Sequence, residues 1–354
     1  MVGVVVGNTP QLLPPPENAM PTRRLDVVGT IVFLLCCRSM HALSMTASST
    51  TSSLARTFLK VVRANNNAAS VAESARRFVI GGTVVGRVLE QSANALSRFP
   101  DVFTVDDDTV TLRVEVGNSV QDRSDAVARV LDSLRNEGSI PMLEGWRNEQ
   151  FAIRSSFNAP TELSVERAAA GLFGCPAYGV FVVGYVPDST TGIPSHVWVG
   201  KRSPTKPTWG GLLDCLAAGG MAAGQMPLEA ARKEAAEEAG ISPTLAMSIR
   251  PSGGVCYTGF DETRWALKRD VLFTFDLRCP VDFVPQCIDG EVASFECVPI
   301  NELVRLIQQH ADKIQFKPNV AVVFIDFLMR HGFISPDEDD YLDLLAELRR
   351  AECR

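Results

Sequence analysis

Residues 217–241 read AAGGMAAGQMPLEAARKEAAEEAGI, a pattern of loop, helix, loop. Gly219, Gly220 and Gly224 loosen the entry, Pro227 suits a first helical position, and Gly240 suits a stop about three turns later. Glu234, Glu237 and Glu238 stand at i, i+3 and i+4, so one helical face carries three carboxylates within reach of each other. Like charges at that spacing repel. Clustered oxygen ligands beside a glycine turn suit a hard cation, Mg²⁺ or Mn²⁺. Taken alone, the same glutamates also describe a solvated acidic face, with Glu229 to Lys233 and Lys233 to Glu237 as ordinary i,i+4 pairs.

The spacing narrows the choice. Gly219, five residues, Gln225, seven residues, then Lys233-Glu234, Glu237-Glu238 and Gly240-Ile241 resemble the Nudix box. Two positions depart from it: the box usually carries Glu where this chain has Gln225, and Arg where it has Lys233. The first removes an outer carboxylate; the second replaces a planar fork by a point charge. Beyond the box, FPDVF (99–103), GWRNE (145–149), YGVFVVGYV (178–186), KRSPTKPTWGGLLDCLAAGG (201–220), FVPQCIDGEV (283–292) and FKPNVAVVFIDFLMRHGFI (316–334) are similar to a two-domain, thiamine-diphosphate-related Nudix subfamily. The resemblance spans most of residues 58–335.

That resemblance implies a fold and a reaction. The fold class is α/β: a Nudix α/β/α sandwich with a mixed sheet, preceded by a small α/β N-terminal domain and a flexible leader. The reaction is metal-dependent hydrolysis of a small-molecule diphosphate, thiamine diphosphate or its oxidised and damaged forms, to the monophosphate and phosphate. Glu237 and Glu238 would be the principal metal ligands, Glu234 a further ligand or the base, and Glu291, after Asp289-Gly290, a last carboxylate. Ala218 or Gly219 would lend a main-chain oxygen, and Lys233 would fix a glutamate rotamer. Arg202 and Lys206, just past a predicted strand, are the candidates for the phosphates, with Trp209, Tyr257 and Trp265 as aromatic faces for a ring. Phe181 and Val183 stand where the subfamily has His and Asn, and Cys256 where it has Ser, which bears on substrate preference and not on the metal chemistry.

Composition is of ordinary globular type. The chain has 354 residues, 46% hydrophobic and 21% charged, enough for two cores. A net charge of −7 argues against a nucleic-acid partner. Nine scattered cysteines without a CxxC pair read as reduced, buried small hydrophobes.

The leader is expected over residues 1–57. An apolar run at 27–37 is too short for a stable membrane span, and a Ser/Thr-rich stretch with basic residues follows, with no acidic residue between 27 and 72. This resembles a bipartite plastid (chloroplast) leader, with mitochondrion or cytosol as alternatives. A small α/β domain is expected over 58–150, the Nudix domain over 151–335, and an acidic link and helix over 336–354. Within these, 76–88 reads as strand, Gly-Gly turn, strand; 103–116 as a hairpin; VERAAAGLFG as a helix; 178–186, 196–203 and three later stretches as strands. Leu342, Leu345 and Leu348 are expected to share one helix face, Arg147 to pair with Glu149 or meet a phosphate, and the N-terminal domain to shape substrate or support a homodimer.

Rival readings stay open at this stage. An isopentenyl-diphosphate isomerase-like reaction would need a cysteine, for which Cys215 is the candidate. A nucleotide-sugar or coenzyme pyrophosphatase would share the box. A non-catalytic diphosphate-binding protein would fit a box decayed at Gln225 and Lys233.

Overall fold

The computed structural model describes residues 53–351. The expected leader lies almost wholly outside them. No described helix is long and apolar enough to cross a membrane.

The first helix, α1 (Leu54–Asn65), is capped by Ser53, whose hydroxyl accepts from the Arg56 amide, and buries Phe58, Leu59, Val61 and Val62. Its short partner α2 (Ala69–Ser74) leads into a four-stranded sheet. That sheet holds β1 (Arg76–Ile80), β2 (Thr83–Val88), β3 (Phe103–Val105) and β4 (Thr109–Leu112) in the order β2-β1-β4-β3, with α3 (Glu90–Leu96) between β2 and β3. Gly81 and Gly82 both take positive φ, which a two-residue hairpin turn requires. The expected second strand of the 103–116 hairpin stops at Leu112, and 114–116 turns as a short 3₁₀ segment. Helix α4 (Val120–Asn136) starts with a capping box between Ser119 and Asp122.

Residues 143–153, at the boundary expected between the two domains, contribute to the small sheet's core. Strands β5 (Gln150–Ile153) and β6 (Leu163–Glu166) pair, and Ile153, Leu163, Val165 and Phe173 share one cluster with Phe78 and Phe103. Phe78 and Phe173 stack with centroids 4.7 Å apart. VERAAAGLFG is therefore not one helix: Val165 and Glu166 end β6, and only α5 (Ala170–Phe173) is α-helical. The β-strand wins there because Val165 alternates with Leu163 into the core.

The larger sheet is built from β7 (Pro176–Pro187), β8 (Pro194–Arg202), β9 (Leu213–Asp214), β10 (Ala217–Gly220), β11 (Arg250–Asp261), β12 (Ala266–Arg278) and β13 (Val292–Pro299). Its main order is β11-β12-β7-β8-β13; β10 adds to β7 and β9 to β8. Strands β7 and β12 run parallel and the other pairs antiparallel, the expected mixed sheet. One face is covered by α6 (Pro227–Ala239) and α7 (Pro243–Ala246), whose alanines share a cluster with Val180, Val182 and Leu216. The other face is covered by α1, α8 (Ile300–His310) and the apolar α9 (Pro318–Arg330). The asparagine run after α1 also serves the sheet edge: Asn66 and Asn67 side chains accept from the Thr258 and Phe260 amides of β11.

The described residues belong to one compact unit. On the C-terminal helix α10 (Tyr341–Glu347) Leu342 is 72% and Leu345 40% exposed, while Leu344 and Leu348 are buried. The i,i+4 pair faces the core because Tyr341, Leu344 and Leu348 meet the cluster beneath α1 and α9. Of the six cysteines among the described residues, Cys175, Cys215, Cys256 and Cys279 are buried.

Candidate active site

Helix α6 runs as expected from Pro227 at its first turn to Gly240, which takes φ 65° at the C-cap. Ala230, Ala231, Ala235 and Ala239 face the sheet, and their small size lets the helix lie close to β10. That closeness places Glu238, only 6% exposed, so that its Oε2 accepts from the Ala218 amide at 2.9 Å. It also places Glu234 directly against Gly219. A Cβ at residue 219 would sit 2.2 Å from the Glu234 carboxyl carbon and 2.5 Å from its Oε2, so the glycine serves this close approach and not a positive φ.

The electrostatics follow from this burial. Glu238 is pushed up to about 8, first by burial and then by the Asp214 carboxylate, with Glu234 and Glu291 adding to it against the Ala218 hydrogen bond. Glu234 is also raised by burial, against the pull of Lys233. Glu291 loses solvent too, but Lys206 outweighs that and holds its carboxyl below the usual range. The mutual influence of Glu234, Glu238 and Glu291 shows that the turn after β12 brings Glu291 to the box helix. Its main chain is fixed there by the Ser203 amide, which donates to the Glu291 carbonyl at 2.8 Å.

Glu237 behaves differently. It is half-exposed and pairs with Lys233 at 2.6 Å, while the same ammonium lies 3.5 Å from Glu234. Lys233 thus bridges two of the three glutamates. With Glu237 turned to Lys233, no three acidic, His or Cys side chains among the described residues are gathered closely enough to hold an ion as they stand. The donor set still suits a hard cation: Glu238 is a buried carboxyl group with no cation paired to it among the described residues, beside Glu234 and the main chain of Gly219.

Arg202 and Lys206, chosen from sequence for the phosphates, both have carboxylate partners. Arg202 is buried, donating Nη1 to Asp214 at 2.7 Å and Nη2 to the Thr208 carbonyl at 3.3 Å. Lys206 reaches Glu291 at 2.5 Å. Asp214 thus lies beside the site and couples to Glu238 while accepting from the Cys215 amide. Trp209 stands in the loop between β8 and β9, 40% exposed with φ 58°. Tyr257 is buried and hydrogen-bonds Asp270, and Trp265 packs against the small sheet's core.

Two cations beside the site were missed by sequence reasoning. Arg167 lies against Gly220, where a Cβ would meet its Nη2 at 2.4 Å, and it, not Arg147, lies 3.6 Å from Glu149. Lys317, at the N-cap of α9, lies 4.0 Å from Asp214 and 5.2 Å from the Phe181 ring centroid. Arg167 was hidden inside a stretch read as one helix, and Lys317 lies far along the chain from the box. Only the pairing of β10 with β7 and the packing of α9 bring them near.

Comparison with known proteins agrees with this geometry. A NUDIX domain matches residues 178–320 and a Domain of unknown function (DUF4743) matches residues 57–177. Nudix hydrolase 20, chloroplastic, of Arabidopsis thaliana is 40% identical over 305 residues, covering 84% of this chain and 78% of that protein. The chain belongs to the Nudix hydrolase family. Nudix hydrolase 24, chloroplastic, of the same plant is 41% identical over 78% of this chain and 73% of its own length. An uncharacterized protein of Saccharomyces cerevisiae is 32% identical over 76% of this chain and 81% of its length. As a Nudix hydrolase the protein is a pyrophosphohydrolase of phosphate-anhydride substrates, in a family that generally uses divalent metal ions.

Proposed function

We propose that this Nudix hydrolase cleaves the diphosphate of thiamine diphosphate, or of its oxidised and damaged forms, to the monophosphate and phosphate. The single observation that carries the hydrolytic part is the buried Glu238 carboxyl, held at about 8 under the Ala218 amide with Glu234 pressed on Gly219. Glu234, Glu237, Glu238 and the Gly219 carbonyl would hold Mg²⁺ or Mn²⁺, which when bound neutralises diphosphate charge and activates water. Glu234, raised by burial, is suited to take a proton from the attacking water, and Glu291 to complete the set. Lys233 keeps the Glu237 side chain in place until a cation competes for it. Substrate phosphates would draw on Lys206 and Arg202, and Trp209 offers an exposed aromatic face for a cationic ring. The thiamine reading rests on the sequence resemblance across residues 58–335. The chloroplastic relatives and the leader-like composition of the first 57 residues support a plastid location.

An isomerase reading is weakened by Cys215, which is 1% exposed and whose thiol burial pushes well above its ordinary value. Product formation would be measured with and without divalent cation, as phosphate from thiamine diphosphate and its oxo and oxy derivatives and as AMP from ADP-ribose and NADH. Fastest release from a thiamine derivative, dependent on cation, is expected. Preference for ADP-ribose or NADH would overturn the substrate, and turnover undiminished in Glu238→Gln would overturn the site. The Glu238→Gln variant should lose about 10²-fold or more in kcat with its melting temperature retained, because a glutamine oxygen still accepts from the Ala218 amide.

A further inference from the structure

A cleft of about 310 Å³ lies between the segment after β5 and the loop that enters α6, lined among others by Arg154, Phe157, Thr161, Gly224, Gln225 and Met226. No carboxylate lines it, and none of the proposed catalytic or phosphate-contacting residues does. Arg154 is its unusual member. The residue is only 9% exposed, its Nη1 donates to the Phe157 carbonyl at 2.7 Å, and its guanidinium carbon lies 5.6 Å and 5.2 Å from the Phe157 and Tyr178 ring centroids. Its Nε has no acceptor, and no carboxylate among the described residues pairs with it. A guanidinium cannot shed its charge by losing a proton, and buried charges are otherwise paired or bind a ligand.

The facing wall shows the matching feature. Gln225 occupies the box position where a glutamate is usual, and its Oε1 accepts from the Ala222 amide at 3.3 Å. A glutamate at 225 would put a carboxylate into the same cleft as Arg154. In this chain that wall is neutral and the arginine keeps an unanswered charge.

We propose that the cleft is a binding site for a phosphoryl anion, orthophosphate or a phosphomonoester, with Arg154 as its charged contact and Gln225 and Thr161 as neutral ones. An anion there ties the loop running from Gly219 into α6 to the segment after β5. The site is separate from the glutamates, so it stands or falls independently of the thiamine reading.

The test is titration calorimetry of the full chain in a chelator, with orthophosphate and with glycerol phosphate as probes. Saturable binding of one anion per chain is expected, tighter for the ester if the remaining cleft volume is used and equal if the phosphoryl group alone is held. Gln225→Glu should weaken it by about tenfold or more, by giving Arg154 an internal partner. Arg154→Lys should weaken it less than Arg154→Met, and Glu238→Gln should leave it unchanged. Should Arg154→Met fail to fold, Gln225→Glu decides the matter alone. Absence of saturable binding in the wild type, or equal affinity in Gln225→Glu, would overturn the site; the latter would mean an adventitious surface anion only.

Discussion

Replacing Gly219 by alanine separates catalytic geometry from stability. The new methyl carbon would lie 2.2 Å from the Glu234 carboxyl carbon, where ordinary contact begins at 3.4 Å, so the carboxylate must withdraw by about 1.2 Å. Residue 219 sits in β10 without a positive φ, and the obstructing atoms are the end of a flexible side chain. The fold should therefore change in stability by only about 1 kcal/mol in either direction. The hydrolytic site should not be so tolerant, because a displacement of that size at a reacting group is worth about 10²-fold in rate, or about 2.7 kcal/mol of barrier. Steady-state phosphate release under saturating cation gives kcat, and a thermal melt of the same preparation gives stability. A variant that melts like wild type and turns over within about twofold of it would refute the contact between Glu234 and Gly219 as a determinant of catalysis.

The buried Arg202–Asp214 pair gives a second test: Arg202→Met leaves Asp214 with Lys317 alone at 4.0 Å and should destabilise by about 3 kcal/mol, read from denaturant midpoints, whereas an unchanged midpoint would show the pair to be dispensable. His310 gives a pH signature. Burial lowers it, and its Nδ1 accepts from the Gln315 and Phe316 amides, so the folded state prefers the neutral ring. The unfolded chain then binds the extra proton first, and the contribution is full above about pH 6.5 and lost as pH falls through the lower folded value. His310→Ala should flatten that part of a melting-temperature profile, and a profile with the same slope would count against it. Gly86→Ala would drive a methyl to 2.2 Å from the Phe173 carbonyl oxygen, a backbone atom, and should cost about 1–3 kcal/mol; a variant as stable as wild type would mean that β2 and α5 separate easily.

The sequence alone determined the parts of this protein whose physics is local. Pro227, the alanine stripe and Gly240 specify the start, face and end of α6, and the apolar runs in β7 and β8 specify buried strands, because helix caps and short apolar runs act over a few neighbours. It failed where two periodicities competed: Val165 and Glu166 form β6 and not the first turn of a helix. Only the tertiary structure decided which charges are available. Arg202 and Lys206 have carboxylate partners and Glu237 is held by Lys233, while Arg167 and Lys317 approach the site from distant segments. Spacing along a helix fixes which glutamates share a face, but what raises Glu238 to about 8 is burial together with the Asp214 and Glu291 carboxylates, which strand pairing and chain reversal bring to it from distant parts of the chain.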